Sequence, residues 1–537
     1  MSDNNKTIIV DNIRLDIDCT DDDAIREATK RLGKTPESSG RIYKKSIDAR
    51  HKNNIKFVYS VIFGEKGEKG EKGEEAESFD VTAVKRSEQS KKFPQSPPVV
   101  VGFGPAGMFC ALVLSQNGCN PIVFETGADI DTRIKKVDNL FKHGILDEKT
   151  NVCFGEGGAG TFSDGKLTTR INDPYCKFIL NQFVRFGADE KILYQAKPHV
   201  GTDKIRIITK NIREEIIKNG GNIYFNSEFT DIDNINRTEK KPDFIEITVN
   251  NSDKFKASGL FIAAGHSSFN LYNLLIKKGL PVIPKAYSVG FRIEHKQSYI
   301  DDIIYGKFAG HKNLPPAEYS LSYKKPGTRG VYTFCMCPGG VVVNSASGNG
   351  TIVTNGMSDS GRTGDNANAA VAASVLPEDY GGTVHGAFEF RKDIEKRAYN
   401  VKNKDFAAPV QTLGDYISNK TGNLKKSDIA PSYTGKVTEY DLNKIFPDFI
   451  NREIKAGIGE FNKTLKGYFN ENAVLTAPET RTSSAVRIPR DSAALEAVNY
   501  IGIYPCGEGS GYAGGITSSA VDGIKCAVKY MEKYRNK

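Results

Sequence analysis

The 537-residue sequence has no run of 18 apolar residues, which is about the length that a membrane-spanning helix requires. The longest candidate, residues 99–114, is interrupted by glycines and by Pro105. The first residues, MSDNNKTIIVDN, lack both the basic and the apolar segment of a secretory signal. We therefore expect neither secretion nor a membrane partner.

Cysteine occurs nine times, without a repeated spacing and without a C-x-x-C or C-x-x-x-x-C motif. An odd number of irregularly spaced cysteines is typical of reduced thiols in a cytoplasm, not of a disulfide framework. The missing motifs argue against a dithiol relay, and the seven histidines lack the spacing of metal ligands. We therefore predict a cytoplasmic protein without a metal site.

The net charge does not point to a particular class of partner. A net charge of +9, with 39% hydrophobic and 26% charged residues, is ordinary for a globular chain of this length. Such a charge permits anionic partners but does not favour nucleic acid.

The most informative segment is a glycine-rich turn. Residues 99–101, all valine, predict a buried parallel strand, and Gly102, Gly104 and Gly107 follow as G-x-G-x-x-G before a predicted helix. This order fits a dinucleotide site, in which the turn and the helix N-terminus approach a pyrophosphate. A second predicted strand ends in Glu125, whose carboxylate can accept hydrogen bonds from a ribose hydroxyl.

A second glycine cluster, NVCFGEGGAGTFSDGKL, occupies residues 151–167. It also satisfies G-x-G-x-x-G, but turn residues follow it where a dinucleotide fold needs a helix. We interpret it as a loop laid against a flat or phosphorylated ligand, with Gly158, Gly160 and Lys166 as contacts. A structural glycine loop is the alternative.

Composition divides the chain into five segments. Residues 1–63 predict a small basic α+β domain, with a helix that begins after Thr20, and residues 64–96 form a charged linker containing GEKGEKGEKGEE. Residues 97–280 and 475–537 are assigned to a cofactor domain, and residues 281–474 to a substrate domain inserted between them. Because few contacts can cross so polar a linker, we expect the first domain to be an accessory module.

Two further segments, LFIAAG (residues 260–265) and Cys506-Gly507-Glu508, complete a pattern that resembles the glutathione-reductase-type FAD fold. In that fold the second segment carries Asp where this chain has Glu508. Gly514-Gly515-Ile516, which opens the last predicted helix, resembles the turn that offers N–H groups to the flavin. The cofactor contacts that we predict are Gly102, Gly104, Pro105, Ala106, Gly107, Glu125, Arg133, Gly158, Gly160, Ala264, Gly265, Gly507, Glu508, Gly514, Gly515 and Ile516.

The segments TFSDGKL, FCMCPGG, TNGMS, PETRTSSAVRI and SIDAR extend the resemblance to nearly the whole chain. They resemble the bacterial FAD-dependent dehydrogenases, a family also labelled NAD(P)/FAD-dependent oxidoreductases. The resemblance implies an α/β fold, with a Rossmann-like FAD-binding domain interrupted by a mixed α+β substrate domain and preceded by the small α+β domain. It also implies non-covalent FAD. Only one G-x-G-x-x-G segment, the fingerprint at Gly102, Gly104 and Gly107, is followed by a predicted helix. We therefore consider NAD(P)H only as a transient electron donor.

Three side chains are candidate catalytic groups. Arg487 is the first choice among clustered arginines, because it stands between the apolar Val486 and Ile488 and could hold an anionic substrate. His266 follows the segment LFIAAG, and Lys166 ends the second glycine cluster. Surface salt bridges for the arginines, and a neutral capping role for His266, are the alternatives.

The sequence therefore favours an FAD-dependent oxidoreductase acting on a small organic substrate, with an anionic substrate suggested by the arginines. One alternative is a flavin-dependent RNA-modifying enzyme whose basic first domain holds RNA, and another is a non-catalytic flavin-binding redox sensor. Cys335 and Cys337 form a C-x-C pair that could oxidise or bind soft ligands, although buried packing is the simpler role.

Overall fold

The structure is a computed structural model that describes residues 7–33, 39–64, 94–235, 244–402 and 405–535. Most of the predicted linker, including the GEK repeats, lies outside the described residues.

The described residues contain the following strands: β1 (Ile8–Asp16), β2 (Arg41–Asp48), β3 (Lys56–Phe63), β4 (Pro98–Val101), β5 (Ile122–Phe124), β6 (Asn222–Tyr224), β7 (Phe229–Asp233), β8 (Ile245–Val249), β9 (Asp253–Ala257), β10 (Gly259–Ile262), β11 (Ile283–Pro284), β12 (Tyr287–Lys296), β13 (Ser322–Tyr323), β14 (Val331–Cys337), β15 (Val341–Asn344), β16 (Thr354–Met357), β17 (Asn366–Val375), β18 (Ala408–Thr412), β19 (Val437–Glu439), β20 (Val474–Glu479), β21 (Val486–Arg487) and β22 (Ile503–Pro505).

The α-helices of the described residues are α1 (Asp21–Leu32), α2 (Pro105–Gln116), α3 (Ile130–His143), α4 (Tyr175–Arg185), α5 (Thr202–Lys218), α6 (Phe269–Lys277), α7 (Gln297–Tyr305), α8 (Val384–Tyr399), α9 (Leu413–Ser418), α10 (Asp448–Thr464) and α11 (Ile516–Arg535). Together with the sheets, they make an α/β fold, as predicted.

The first module is a three-stranded antiparallel sheet in the order β1-β3-β2, with α1 packed on it. The predicted helix start is confirmed: the Thr20 hydroxyl accepts the Asp23 N–H, and Asp23 accepts the Thr20 N–H in return. This capping box satisfies main-chain donors that the first helical turn leaves unpaired. Ala24 and Ala28 of α1 are fully buried.

Beyond the linker, a five-stranded parallel sheet runs in the order β22-β10-β4-β5-β6. Val99 and Val100 of β4 are fully buried, as expected for a strand covered on both faces. Helices α2 and α11 pack closely against each other, since a Cβ atom on Gly523 would lie 2.0 Å from the Ala106 carbonyl oxygen. The carboxyl ends of β4, β10 and β22 meet at one edge, where such sheets bind ligands.

A seven-stranded mixed sheet faces that edge, in the order β13-β14-β17-β12-β20-β18-β19. Its central strand β12 is almost wholly buried and pairs antiparallel with β17 and β20. Because β20 ends at Glu479, this sheet continues past the predicted domain boundary at residue 474/475. Of the helices in the described residues, none is long and apolar enough to cross a membrane.

The first module packs against the remainder of the chain more closely than its polar linker suggests. The Lys45 N–H donates to the Tyr194 carbonyl at 2.8 Å, and the Lys45 carbonyl accepts the Ala196 N–H at 2.9 Å. The Asn313 amide donates to the Ile17 carbonyl at 2.9 Å. The module therefore covers surface on both of the larger parts.

We expect a chain that begins at residue 94 to fold and to retain the flavin implied by the resemblance, because the predicted cofactor contacts all lie beyond residue 101. Its melting temperature should fall, because the surface around Tyr194 and Asn313 becomes exposed. Visible flavin absorbance and thermal denaturation measure the two effects. Asn313→Ala in the full chain is the control and should lower the melting temperature far less. Colourless or insoluble truncated protein would contradict the expectation.

Candidate active site

One cavity of about 350 Å³ lies where the carboxyl edge of the parallel sheet meets the seven-stranded sheet. It brings together most of the residues predicted from the sequence. Those that line it are Gly102, Gly104, Pro105, Ala106, Glu125, Gly158, Gly160, Lys166, Ala264, Gly265, His266, Glu508, Gly514, Gly515 and Ile516. Four predicted residues do not line it: Gly107, Arg133, Arg487 and Gly507.

The three fingerprint glycines serve different purposes. Gly102 has φ +96°, and a Cβ atom there would lie 2.6 Å from the Ala263 carbonyl oxygen. A Cβ atom on Gly107 would lie 2.0 Å from the Gly102 carbonyl oxygen, so this glycine brings α2 close to β4. Gly104 is different, since the nearest atom to its Cβ position is the Gly158 Cα at 3.6 Å. Its open side lies in the cavity, at the N-terminus of α2.

Glu125 joins the fingerprint turn to the second glycine cluster. Its Oε2 accepts the Phe103 N–H at 2.8 Å, and its Oε1 accepts the N–H groups of Gly127 and Gly155, both at 2.9 Å. The residue is only 6% exposed but still lines the cavity. Each carboxylate oxygen has two acceptor positions, so Oε2 keeps capacity for a ribose hydroxyl.

Arg133 holds the second glycine cluster in its conformation and does not line the cavity. Its fully buried guanidinium donates to main-chain carbonyl groups between residues 151 and 156, including Asn151 at 2.9 Å and Glu156 at 2.6 Å. It also stacks on the Phe162 ring, 4.8 Å from the centroid. Burial lowers the pKa of Arg133 to about 10. The structure therefore gives Arg133 a loop-forming role in place of the predicted cofactor contact.

The N-terminus of α11, the last helix, forms another part of the cavity wall. Gly514 and Gly515 line the cavity just before α11, and no atom lies within 4 Å of a Cβ position on Gly514. The first N–H groups of a helix lack intrahelical partners, so this end can hold an anion or a carbonyl oxygen. Gly507 lies behind the wall, with its N–H donating to Asp522 at 2.7 Å. Glu508 lines the cavity, and burial raises its pKa to about 7.

Lys166 lies in a buried charge cluster at the far end of the cavity. Its ammonium is 2.9 Å from Glu318 Oε2 and 3.4 Å from Asp164 Oδ2. Arg362 also binds Asp164, at 2.5 Å. Although burial opposes it, the carboxylates of Asp164 and Glu318 raise the pKa of Lys166. Lys166 therefore stays charged and gives this end of the cavity a fixed cation.

His266 is neutral at ordinary pH. Burial, together with the guanidinium groups of Arg391 and Arg481, lowers its pKa to about 3. Its Nδ1 lies 3.0 Å from the Ser267 hydroxyl. The ring can therefore donate or accept one hydrogen bond in the cavity, but it does not supply a proton as an imidazolium.

The arginine that reaches the cavity is Arg481, not Arg487. Arg487 is exposed and donates to the Gly511 carbonyl at 3.2 Å. Its neighbours Val486 and Ile488 are fully buried, and alternation along a strand turns Arg487 to the opposite face. The apolar neighbours that suggested Arg487 therefore indicate that its side chain points away from the cavity. The alternation of buried and exposed residues along the strand was the signal in the sequence that could have corrected the choice.

Arg481 is held firmly at the cavity wall. Its guanidinium donates to both carboxylate oxygens of Glu395, at 3.1 and 2.9 Å, and to the hydroxyls of Ser267 and Ser347. Behind it, Arg391 is 1% exposed, and its three side-chain nitrogens have no hydrogen-bond partner among the described residues. The Arg391 guanidinium lies 5.3 Å from the Phe269 ring centroid. The guanidinium of Arg481 is thus paired with the Glu395 carboxylate, whereas that of Arg391 is buried beside an aromatic ring.

The wall opposite the fingerprint glycines is formed by residues that the sequence analysis did not assign to the cofactor or to catalysis. Glu479 ends β20 in the cavity, and burial raises its pKa to about 7, although Arg292 lies beneath it at 3.3 Å. Phe334 and Cys335 of β14 line the same region. Among the described residues, no group of three or more His, Cys, Asp or Glu side chains could hold a metal ion.

Comparison with known proteins identifies relatives over the whole chain. A family model described as FAD-dependent protein, C-terminal domain-like, matches residues 286–482, and a domain of unknown function matches residues 7–63. An uncharacterised protein of Clostridium beijerinckii is 42% identical over 535 residues, covering 98% of this chain and 99% of the relative. The ribosomal RNA dihydrouridine synthase of Haemophilus influenzae is 25% identical over 201 residues, covering 36% of this chain and 48% of the relative.

Solved structures show more distant similarity. Halogenase PltM is 11% identical, with a TM-score of 0.37 over 82% of this chain and 69% of that chain. OTEMO in complex with FAD and NADP is 16% identical, with a TM-score of 0.21 over 32% of this chain and 26% of that chain. By contrast, the identity to the Clostridium protein extends over nearly the full length of both chains. The chain therefore belongs to the same family as that protein, and its residues 286–482 match the model of an FAD-dependent protein's C-terminal domain.

Proposed function

We propose that this flavin-dependent enzyme is an FAD-dependent oxidoreductase acting on a small organic substrate that carries an anionic group. The observation that carries the proposal is the shared cavity of about 350 Å³, with a nucleotide-type glycine wall on one side and charged side chains on the other. Such a concave site with convergent titratable groups is typical of a catalytic cleft.

The residues present fit FAD. The N-terminus of α2 beside Gly104 and the open N-terminus of α11 can each hold an anionic or carbonyl group, and Glu125 can accept a ribose hydroxyl. The Cβ-free surface of Gly104 and Gly514 leaves room for close approach of a ligand. When bound, FAD supplies transfer of two electrons, and the protein supplies binding, orientation and electrostatics.

The opposite wall supports an anionic substrate. Arg481 and Lys166 are both cations in the cavity that are kept charged by neighbouring carboxylates. Charge-assisted hydrogen bonds from a planar guanidinium to a carboxylate or phosphate are both strong and directional. Glu479 and Glu508, each with a pKa near 7, can exchange a proton close to neutral pH.

NAD(P)H is proposed only as a transient electron donor. The second glycine cluster passes into a short 3-10 turn, Ala159–Phe162, and not into the helix that a second dinucleotide site would need. A reductant would then have to enter the same cleft as the substrate.

A second candidate function is modification of RNA. It is favoured by the local similarity to the ribosomal RNA dihydrouridine synthase, which covers 36% of this chain. In that case the substrate would be a base within RNA, and the first module would be a candidate for holding the RNA.

Gly104→Val should abolish FAD binding without unfolding the protein. A valine side chain would fill the approach to the N-terminus of α2, yet its Cβ atom would be 3.6 Å from the nearest atom, Gly158 Cα. We expect purified variant with a normal melting temperature and at least tenfold less bound flavin per chain, measured by absorbance after acid release.

Gly459→Val is the matched control for this variant. Gly459 is exposed on α10, and no atom lies within 4 Å of its Cβ position. It should retain its full flavin content. If Gly104→Val keeps its flavin, the fingerprint turn is not the cofactor site.

Arg481→Lys should weaken the binding of anionic ligands while FAD stays bound, because lysine keeps the charge but cannot be held in the cavity by Glu395 and Ser347 as the planar guanidinium is. The bidentate contact with Glu395 and the contact with Ser347 would be lost. We expect about a tenfold weaker response, measured by titrating the absorbance of the bound flavin with inorganic phosphate and short dicarboxylates. Arg487→Lys, on the exposed face, is the control. Equal weakening in both variants would contradict the assignment.

The two candidate functions differ in their effect on RNA. We expect no mass change when the flavin-loaded protein is incubated with NADH or NADPH and an unmodified ribosomal RNA transcript. Nucleosides from a digest would be compared by mass spectrometry with those from a reaction containing Gly104→Val. A gain of two hydrogens on uridine, present only with the unaltered protein, would replace the small-substrate proposal by RNA reduction.

A further inference from the structure

The cleft has a second chemical feature on β14, where two consecutive residues, Phe334 and Cys335, both line the cavity. In a regular strand, consecutive side chains point to opposite faces. Here the pairing with β17 shifts: Phe334 lies opposite Ala370 and Cys337 lies opposite Asn368, so β14 contains one extra residue. Cys335 has φ +44° in this bulge. The bulge therefore redirects the Cys335 side chain into the cavity.

Cys335 is part of a cluster and not an isolated thiol. Cys337 is fully buried and hydrogen-bonded to the Cys335 side chain, and its thiol also donates to the Cys335 carbonyl at 3.3 Å. The buried guanidinium of Arg292 donates to the same carbonyl at 2.8 Å and lies 3.7 Å from the Cys337 sulfur. A second thiol and a fixed cation therefore lie against Cys335 from beneath.

These neighbours favour the thiolate form of Cys335. The hydrogen bond from Cys337, aided by Arg292 and Lys166 and opposed by burial, lowers the pKa of Cys335 below that of an ordinary thiol. The same contact raises the pKa of Cys337, so the pair holds one proton, on Cys337. The carboxyl groups that face Cys335 from other elements are Glu479 of β20, Asp164 of the glycine loop and Glu508 before α11.

We propose that Cys335 is a nucleophile at the substrate end of the cleft, and that it adds to an electron-poor carbon, such as the β-carbon of an α,β-unsaturated carbonyl compound. This deepens the proposed function by naming the substrate class, and it rests on that function in placing the substrate in the flavin cleft. Arg481 and Lys166 would then face the anionic part of the same molecule.

The addition balances without an oxidant or a reductant. A lone pair of the Cys335 sulfur forms the C–S bond, and the electron pair of the C=C bond moves to the α-carbon. The α-carbon then takes a proton from water. In the reverse direction the α-proton leaves, the C=C bond re-forms, and the thiolate is expelled with its electron pair.

The test uses the full chain as purified with its flavin, and N-ethylmaleimide, itself an α,β-unsaturated carbonyl compound, as the probe. At substoichiometric probe, peptide mass spectrometry should find Cys335 labelled first. The midpoint of the labelling rate should lie clearly below about pH 8.5, where an ordinary thiol titrates. Cys335→Ser should remove the fast phase.

Cys153 provides the matched control, because it is the other cysteine that lines the cavity. Its thiol donates to the Ser345 carbonyl at 3.5 Å and is also hydrogen-bonded to the Arg481 side chain, so it too lies beside a cation. Cys153→Ser should leave the fast phase unchanged. Cys337→Ala should move the midpoint of the fast phase to higher pH, because the donor to the thiolate is lost.

Three results would overturn the proposal: labelling of Cys153 as fast as Cys335, a midpoint near pH 8.5, or a Cys335–Cys337 disulfide that blocks labelling in the flavin-loaded protein. The disulfide would assign the pair to thiol redox chemistry. Flavin content is measured on the same sample, so a protein that labels as expected but carries no FAD would contradict the proposed function and not the nucleophile.

Discussion

The geometry of the cleft depends on the buried carboxylate of Glu125. It accepts N–H groups from the fingerprint turn and from the second glycine cluster, and so fixes two loops whose glycines leave their backbones otherwise free to move. Arg133 complements it by donating to the carbonyl groups of the same cluster. Burial lowers the pKa of Arg133, and the nearby Glu125 carboxylate offsets part of that effect.

With these loops fixed, the two sheets contribute different chemistry to one cavity. The parallel sheet supplies helix N-termini and glycine backbone without side chains, which suit phosphate groups and a flat ring system. The seven-stranded sheet supplies charged side chains from strands that are otherwise buried: Glu479 above Arg292, and Cys335 at a bulge. Burial raises the pKa of Glu479. Against the effect of burial, Cys337 and the cations Arg292 and Lys166 lower the pKa of Cys335.

The sequence was sufficient to predict the glycine residues of the cavity wall. Strand, glycine turn, helix and Glu125 follow one another at fixed spacing, so local geometry determines which residues meet. For Arg487 the alternation of β21 was a usable signal in the sequence. The sequence was insufficient for Arg481, because its position depends on Glu395, 86 residues away along the chain. It was also insufficient for Cys335, because a one-residue register shift reverses the direction of a side chain. The packing of the first module depends on surface that lies about 130 residues or more away, near Tyr194 and Asn313, which no linker composition can reveal.

The fit of FAD to this cavity, with its pyrophosphate at the N-terminus of α2, can be measured in the electron density of crystals grown from the flavin-containing protein. We expect FAD in the cavity, with the pyrophosphate beside Gly104, a ribose hydroxyl at Glu125 and the flavin ring between α11 and β14. Density for FMN alone, or for FAD at any other surface of the protein, would contradict it.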